Sequence, residues 1–198
     1  IVTVGGLVAR KGHDMVLQAL SKLVQKFSDI TYLIVGDGPH RSELASLVDQ
    51  FGLHQHVVFA GKMDDELLPE IYALSDVFVM PSRQNLDACD VEGFGLVYLE
   101  ASACGKPVVA GRSGGTSDAV LDEETGLLVD PNKPAELAIA LERLLTDKNL
   151  AQSLGRRGRS RLIGNFEWPQ IANRVQEILE NVVRKDTERP AACAAVAG

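Results

Sequence analysis

Two patterns of apolar residues alternate along this chain. Short continuous apolar runs are typical of buried strands, and longer segments with apolar residues every three or four positions are typical of helices packed on them. The runs predict strands at residues 1–4, 31–35, 57–59, 77–80, 107–110 and 126–129. The spaced segments predict helices at about 14–27, 41–51, 66–74, 96–103, 117–121, 134–145, 149–162 and 168–185. This alternation predicts an α/β, Rossmann-like, three-layer domain with a parallel sheet of about six strands.

The chain is long enough for one domain, which we predict over residues 1–185. Its 198 residues, 45% of them hydrophobic, can bury one good core. Residues 186–198 are rich in alanine and charge but poor in large apolar side chains, so we expect a disordered tail. The first residue is not methionine and already belongs to a predicted core strand, so we expect this chain to be part of a longer protein. It has no secretory signal pattern.

The net charge of −7 argues against a surface that binds nucleic acid or an anionic membrane. The three cysteines, Cys89, Cys104 and Cys193, are odd in number and lack metal-ligand spacing. We interpret them as reduced thiols of a cytoplasmic protein, with Cys104 in the core and Cys89 near the functional site. We expect neither a metal nor any other cofactor.

The segment DVEGFGLVYLE, from Asp90 to Glu100, carries the clearest chemistry. Its two glycines permit a tight turn that a ligand can approach, and the apolar run after them predicts a buried helix. The first turn of a helix presents unpaired N–H groups and about +0.5 of an elementary charge, which suits a phosphate over Leu96 and Val97. Glu92 in the loop and Glu100 on the helix would accept hydrogen bonds from hydroxyls on either side. A sugar, a diphosphate and a ribose in a row describe a sugar nucleotide.

The glutamate pair has two other interpretations. The pair could be the acid and base of a glycosidase, but eight residues of helix rise about 12 Å, whereas glycosidase carboxyl groups lie about 5 to 9.5 Å apart. The pair could also be one capping and one solvated carboxylate around two packing glycines. Near the amino end of the chain, Gly5 and Gly6 join a strand to a helix in a phosphate-binding layout, with Lys11 beside them. A solvated surface lysine is the alternative there.

Several motifs in a fixed order resemble a known family. They are VGGLVARKGHD, VGDGP, FAGKM, MPS, EGFGLVYLEA, CGKPVVAG and SGG. Together they resemble the donor-binding, C-terminal half of retaining glycosyltransferases of family 4, which have the GT-B fold. The resemblance covers nearly all of residues 1–184. The form DVEGFGLVYLEA, followed by ACGKPVVAG, is most similar to bacterial phosphatidyl-myo-inositol mannosyltransferases.

The resemblance implies roles for particular residues. Glu92 would contact hydroxyls of the transferred sugar, and Glu100 would accept from the ribose hydroxyls. Lys11 would neutralise the diphosphate, whose charge grows as it leaves. Main-chain atoms near Met63, with Leu68 beneath, would hold the base. The donor-binding residues implied are Gly6, Met63, Leu68, Gly93, Phe94, Gly95, Leu96, Val97 and Glu100, and Gly114 and Gly115 lie in a loop expected near the site.

The sequence departs from the family pattern at two places. An arginine is common at the position of Gly6, where it works with the lysine on the diphosphate, and it is absent here. Arg10 is close enough in sequence to be counted with Lys11 and Glu92 among the candidate catalytic residues, and whether it replaces that arginine stays open. The loop usually written GGxPE reads Gly114-Gly115-Thr116-Ser117-Asp118.

The expected function is therefore that of the donor half of a glycosyltransferase. It would bind a GDP- or UDP-sugar, with GDP-mannose favoured, for transfer to a lipid-linked, glycan or small-molecule acceptor. The acceptor site would lie in an N-terminal domain absent from this chain, toward which the helix from Trp168 would pack, so the chain alone should be inactive. We expect a cytoplasmic protein at the inner face of the membrane, associated with it peripherally through that other half. The alternatives are a non-catalytic nucleotide-sugar-binding module, an epimerase or phosphorylase of the same fold, and a signalling α/β domain.

Overall fold

The computed structural model describes residues 1–84 and 90–187. The strands are β1 (Val2–Val4), β2 (Tyr32–Val35), β3 (Val57–Gly61), β4 (Phe78–Met80), β5 (Val108–Gly111) and β6 (Gly126–Val129). The helices are α1 (His13–Leu23), α2 (Arg41–Phe51), α3 (Leu68–Leu74), α4 (Leu96–Ala103), α5 (Thr116–Ala119), α6 (Pro134–Thr146), α7 (Lys148–Asn165) and α8 (Trp168–Thr187). Short 3₁₀ turns lie at Ala9–Lys11 and Asp65–Leu67.

The strands form one sheet in the order β3-β2-β1-β4-β5-β6, and every neighbouring pair is parallel. This confirms the predicted α/β fold with a parallel sheet and helices on its faces. The chain builds one half of the sheet outward from β1, then returns to add β4 on the other side of β1. Strand order therefore reverses between β1 and β4. Parallel sheets of this kind bind ligands in the crevice outside the carboxyl ends of the strands at that reversal.

The sheet separates two hydrophobic cores because successive side chains of a strand point to opposite faces. On β4, Val79 packs into the core that also holds Leu17 and Leu141, from α1 and α6. Its neighbours Phe78 and Met80 pack into the other core. Both faces are covered, and this is why the strands appear in the sequence as continuous apolar runs.

The predicted element boundaries hold with local differences. The helix predicted from residue 66 is divided, since Asp65–Leu67 forms a 3₁₀ turn and α3 begins at Leu68 with Pro69 in its first turn. A proline is tolerated there because the N–H that it lacks would have no partner within the helix. Cys104, expected in the core, lies at its edge: it caps the end of α4, is partly buried and packs against the core that contains Tyr72. Cys89 and Cys193 lie outside the described residues.

The chain divides into two compact units, Ile1–Ser160 and Arg161–Gly198, with the division inside α7. The first unit carries the whole sheet. Within the second, the Arg161 guanidinium stacks 4.8 Å from the centroid of the Phe166 ring, and α8 exposes apolar side chains that include Trp168, Ile178 and Val182.

The single domain over 1–185, the tail from 186 and the packing of the last helix toward another half stay predictions. The helix α8 continues to Thr187, and residues 188–198 lie outside the described part of the chain. Within residues 1–84 and 90–187, no helix is long and apolar enough to cross a membrane.

Candidate functional site

The candidate site lies where the chain leaves β1 and β4. These strands are adjacent and parallel, so the loops after them emerge at the same edge of the sheet. The loop after β1 ends in the 3₁₀ turn that carries Arg10 and Lys11. The loop after β4 carries Ser82 and, further along, Glu92. The Lys11 Nζ lies 2.6 Å from the Glu92 Oε2, although 81 residues separate them in sequence.

One oxygen of Glu92 receives three hydrogen bonds. Besides the Lys11 ammonium, the Arg10 Nη1 donates to Oε2 at 2.8 Å and the Ser82 hydroxyl donates at 3.1 Å. Glu92 is 7% exposed. The structure describes no partner for its other oxygen, Oε1, among residues 1–84 and 90–187. We call Arg10, Lys11, Ser82 and Glu92 the cation cluster.

The cation cluster carries one more positive than negative charge. Hydrogen bonds between ionised groups are stronger than those between neutral groups. At the rim of the cluster, the Arg10 Nε lies 2.7 Å from the Asp90 Oδ1. The Asp90 side chain is 45% exposed. Because Asp90 is the more solvated carboxylate, its charge is screened more than that of Glu92. The arrangement suits an anion that enters beside Lys11.

The loop Ser113–Gly115 packs directly against the backbone of Glu92 and Gly93. The Gly115 N–H donates to the Glu92 carbonyl at 3.1 Å. A β-carbon at Gly115 would lie 1.9 Å from the Gly93 carbonyl oxygen, so only glycine permits this approach. The Ser113 hydroxyl is buried and has no partner among the described residues. The loop that was expected near the site therefore lies beside Glu92.

The helix α4 begins at Leu96, as the glycine pattern predicted. Gly95 caps it with φ of +81°, and a β-carbon there would lie 2.3 Å from the Tyr98 ring. Gly93, in contrast, has open space where a β-carbon would be. The N–H groups of Leu96 and Val97 are in the first turn and have no acceptor within the helix. Leu96 is 67% exposed, so the start of this helix is less buried than expected.

Glu100 has different surroundings on the next turn of α4. Its Oε2 accepts a hydrogen bond of 2.6 Å from the Tyr72 hydroxyl on α3. Burial, followed by the hydrogen bond to Glu100, raises the pKa of Tyr72 above its ordinary value. The phenol therefore remains protonated and donates to the carboxylate.

The residues predicted to hold the base lie on the Glu100 side of the sheet. Met63 and Leu68 are partly buried and pack against the core that contains Tyr72. Phe94 and Val97 pack against the same core. Glu92, by contrast, is paired with Arg10 and Lys11, from the loop after β1.

The position of Gly6 has room for a β-carbon. A β-carbon there would meet one neighbouring atom within 4 Å, the Asp37 carbonyl oxygen at 3.8 Å. Steric crowding at the β-carbon therefore does not explain the missing arginine. Arg10 reaches the site from the same loop, but its guanidinium is engaged by Glu92 and Asp90.

Sequence reasoning missed Ser82, Tyr72 and Asp90 as parts of the site. Ser82 directly follows the MPS motif's proline, so its position at a strand end could have indicated it. Nothing in the local pattern distinguishes Tyr72 from an ordinary core aromatic residue.

His13, two residues after Lys11, is buried at the start of α1, and its Nδ1 lies 2.9 Å from the Tyr32 hydroxyl. Burial lowers the pKa of His13 to about 4, so it is neutral near pH 7.

A cavity of the described residues lies elsewhere, away from these side chains. It has a volume of about 730 Å³ and surrounds Ile1, Thr31 and Lys106 at the amino edge of the sheet. None of the predicted site residues lines it. We place the site at the carboxyl edge because the charged groups and the start of α4 converge there. Among the described residues, no group of His, Cys, Asp and Glu could hold a metal ion.

Known proteins resemble this chain in sequence and structure. The family model described as glycosyl transferases group 1 matches residues 1–161. The GDP-mannose-dependent alpha-(1-6)-phosphatidylinositol monomannoside mannosyltransferase of Mycolicibacterium smegmatis is 42% identical over 179 residues, which cover 90% of this chain and 47% of that protein. The chain thus spans about half the length of this curated relative.

Two solved structures support the same relationship. Anabaena Alr3699/HepE in complex with UDP has a TM-score of 0.81 and 26% identity over 91% of this chain and 48% of that chain. The C-terminal domain of a glycosyl transferase group 1 family protein, LpcC of Francisella tularensis, has a TM-score of 0.74 and 27% identity over 84% of this chain and 86% of that one. The fold is that of GT-B glycosyltransferases. The chain belongs to the glycosyl transferases of group 1.

Proposed function

We propose that this chain is the donor-binding half of a mannosyltransferase that uses GDP-mannose. One observation carries the proposal: Lys11, Arg10 and Glu92 converge beside the start of α4, at the reversal of strand order between β1 and β4. A diphosphate is the ligand that best matches two cations and a helix N-terminus. Glu92 and Glu100 supply acceptors for the sugar and ribose hydroxyls on either side.

The identity of the donor rests on the relatives. The mannosyltransferase of Mycolicibacterium smegmatis is described as GDP-mannose-dependent, whereas the Anabaena structure holds UDP. We favour GDP-mannose because the first is the more similar in sequence, at 42% against 26% identity. By the same argument, the proposed acceptor is a phosphatidylinositol mannoside or a related lipid-linked glycan.

In the proposed reaction, the acceptor hydroxyl attacks the anomeric carbon as its bond to the distal phosphate oxygen breaks. The departing diphosphate takes the electron pair, and the hydroxyl proton passes to its phosphate oxygen. Lys11 and the N–H groups of Leu96 and Val97 stabilise the charge that grows on that phosphate. One such preorganised donor contributes about 2.7 to 4 kcal/mol elsewhere. Glu92 holds the sugar through its hydroxyls, and no residue of this half acts as a nucleophile.

The acceptor and its binding groups would belong to an N-terminal half outside this chain. The last helix, from Trp168, would pack toward that half, and the chain alone would bind nucleotide but transfer nothing. The whole protein would act at the cytoplasmic face of a membrane and attach to it peripherally through the other half. No metal takes part in this scheme.

A second candidate function is a non-catalytic nucleotide-sugar-binding module. The observation that favours it is the absence of a side chain at Gly6, although a β-carbon would fit there. The hydrogen bond between Lys11 and Glu92 favours the enzyme.

The proposal is tested by calorimetric titration of this chain with GDP, UDP and ADP. We expect GDP to bind most tightly and Lys11→Ala to weaken it about thirtyfold, near the loss of one hydrogen bond to a charged group. The matched control is Lys148→Ala, an exposed lysine at the amino edge. Equal effects of the two substitutions, or no binding of any diphosphate, would refute the proposed site. Transfer from GDP-mannose by the full-length protein, lost in Lys11→Ala, would separate the enzyme from the module.

A further inference from the structure

We propose that Tyr72 is a positioning residue for Glu100, and that their hydrogen bond makes the site prefer ribonucleotides to deoxyribonucleotides. This inference rests on the proposed function, since it assumes that Glu100 meets the ribose. Tyr72 itself would not touch the ligand. Its hydroxyl would hold the carboxylate in the one orientation from which it accepts from the ribose hydroxyls.

The position of the Tyr72 hydroxyl is set by the packing of its ring. Tyr72 is 1% exposed, and its ring lies 5.8 Å from that of Phe78 on β4 with an interplanar angle of 50°. Phe78 in turn meets Tyr98 edge-on, at 5.8 Å and 87°. The Tyr98 hydroxyl donates to the Met80 carbonyl at 2.9 Å, so this end of the row is bonded to the sheet. A ring held in this way cannot swing its hydroxyl away from Glu100.

The protonation of the pair gives the hydrogen bond a fixed direction. Burial raises the pKa of the Tyr72 phenol, and the adjacent Glu100 raises it further, so the phenol donates and the carboxylate accepts. An ionised carboxylate offers about four lone-pair sites on two oxygens. Tyr72 occupies one site on Oε2, and Oε1 has no partner among the described residues. Acceptor sites therefore remain for a neighbouring pair of hydroxyls.

Tyr72 also connects the two sides of the proposed nucleoside site. It belongs to α3, which begins with Leu68, and Met63 lies shortly before that helix. Both residues pack on the core that contains Tyr72. Glu100 belongs to α4. The hydrogen bond thus ties the carboxylate proposed for the ribose to the element that carries the residues proposed for the base.

Glu100 would lose this orientation without the Tyr72 hydroxyl. A glutamate side chain has several rotatable bonds, and ordering them costs conformational entropy. A carboxylate that has already been ordered avoids this cost when the ligand binds. Groups that orient a binding residue through a second hydrogen bond are a general device of binding sites.

The experiment compares Tyr72→Phe with the parent chain in titrations with GDP, 2′-deoxy-GDP and 3′-deoxy-GDP. We expect the parent chain to bind GDP about tenfold more tightly than either deoxy analogue, a ratio near the contribution of one hydrogen bond to a charged group. In Tyr72→Phe that ratio should fall to below about threefold, mainly through weaker GDP binding. A role in stability alone would weaken all three ligands together and leave the ratio unchanged.

The matched control is Tyr98→Phe, which removes a buried hydroxyl from the same aromatic row but leaves the Glu100 contact intact. It should keep the parent ratio. Glu100→Gln gives a second test that does not depend on how Tyr72→Phe folds. The Tyr72 hydroxyl would hold the amide oxygen and turn the NH₂ group toward the ribose, where it can donate but cannot accept, so the preference for GDP should fall below that of the parent chain.

The outcomes separate this inference from the proposed function. A ratio that is unchanged in Tyr72→Phe, or a preference in Glu100→Gln as large as that of the parent chain, would overturn the inference while nucleotide binding stands. If the parent chain bound none of the diphosphates, the proposed function and the inference would both fail.

Discussion

Glu92 and Glu100 lie on either side of one short glycine turn, yet the fold places them in opposite surroundings. Glu92 is held by two cations and a hydroxyl, all on one oxygen. Glu100 is held by one neutral phenol. An identical side chain is thus neutralised by charge in one place and oriented by a dipole in the other. The comparison shows that the proximity of two carboxylates in sequence says little about what each can do.

The difference has a consequence for ligand binding. A diphosphate that enters beside Lys11 competes with Glu92 for the same cations, because each ammonium proton has one acceptor at a time. Glu92 must therefore yield part of its hydrogen bonding before it can receive a sugar hydroxyl. Glu100 needs no such exchange, because its phenol partner is not a ligand of phosphate. We expect the Glu92 side to reorganise on binding and the Glu100 side to stay as it is.

Removal of each carboxylate should give the largest contrast. Glu92→Ala leaves Arg10 and Lys11 without their shared partner, and breaking a buried ion pair in this way costs about 3 to 5 kcal/mol. Glu100→Ala leaves only a phenol unsatisfied, at about 1 to 3 kcal/mol. Urea unfolding followed by circular dichroism measures both free energies. Equal losses would show that Arg10 and Lys11 find other partners in Glu92→Ala. The two carboxylates would then contribute alike to stability.

Acid should destabilise the fold through the buried His13. Burial lowers the pKa of His13, two residues beyond Lys11, to about 4, whereas an unfolded histidine has a pKa of about 6.5. The unfolded chain therefore binds the extra proton between these values, and stability falls as the pH is lowered through that window. From pH 7 to pH 5 this histidine should remove about 2 kcal/mol of unfolding free energy.

The variant His13→Gln provides the control for the acid effect. It removes the titrating group, so its unfolding free energy should depend less on pH between 6.5 and 4. Urea midpoints at pH 7 and pH 5 make the comparison. The same loss in parent and variant would assign the acid sensitivity to other residues. On the Glu100 side, the buried Tyr72 has a raised pKa and does not titrate in this range.

Conservative substitution of the two glutamates should change GDP affinity in opposite directions. Glu92→Gln releases Lys11 and Arg10 from a competing charge, so GDP should bind more tightly by about 1 kcal/mol, or roughly fivefold. Glu100→Gln should weaken GDP by a similar amount. Calorimetry with GDP measures both, and GMP, which lacks the distal phosphate, should show little gain in Glu92→Gln. Weaker GDP binding by both variants would contradict the proposed competition between Glu92 and the diphosphate for Lys11 and Arg10.

The smallest effect is expected at Asp90. Its side chain is 45% exposed, and its contact with the Arg10 Nε is 2.7 Å. Exposed ion pairs contribute between about 0 and 1 kcal/mol, so Asp90→Asn should change the unfolding free energy by less than that. Urea unfolding beside Glu92→Ala gives the measurement. A loss as large as that of Glu92→Ala would mean that Arg10 depends on Asp90 as much as on Glu92.

Much of this architecture was predictable because its causes are local. Strand and helix periods are written in neighbouring residues, so the six strands and the start of α4 at Leu96 were found from the pattern alone. The positive φ of Gly95 and the open space beside Gly93 are likewise consequences of the local glycine pattern. The boundaries that differ, such as the 3₁₀ turn before Leu68, depend on how a turn meets the core.

The contacts of the site were not predictable, because they join residues that are distant in sequence. The sequence by itself determined the parallel α/β layout, the glycine turn and the chemical types of the candidate residues. Only the tertiary structure decided that β4 lies beside β1, which brings Glu92 onto Lys11 across 81 residues. It also decided that Tyr72 reaches Glu100 across 28 residues. Strand order and side-chain pairing are settled by packing across the whole core, and no local period in a sequence records that packing.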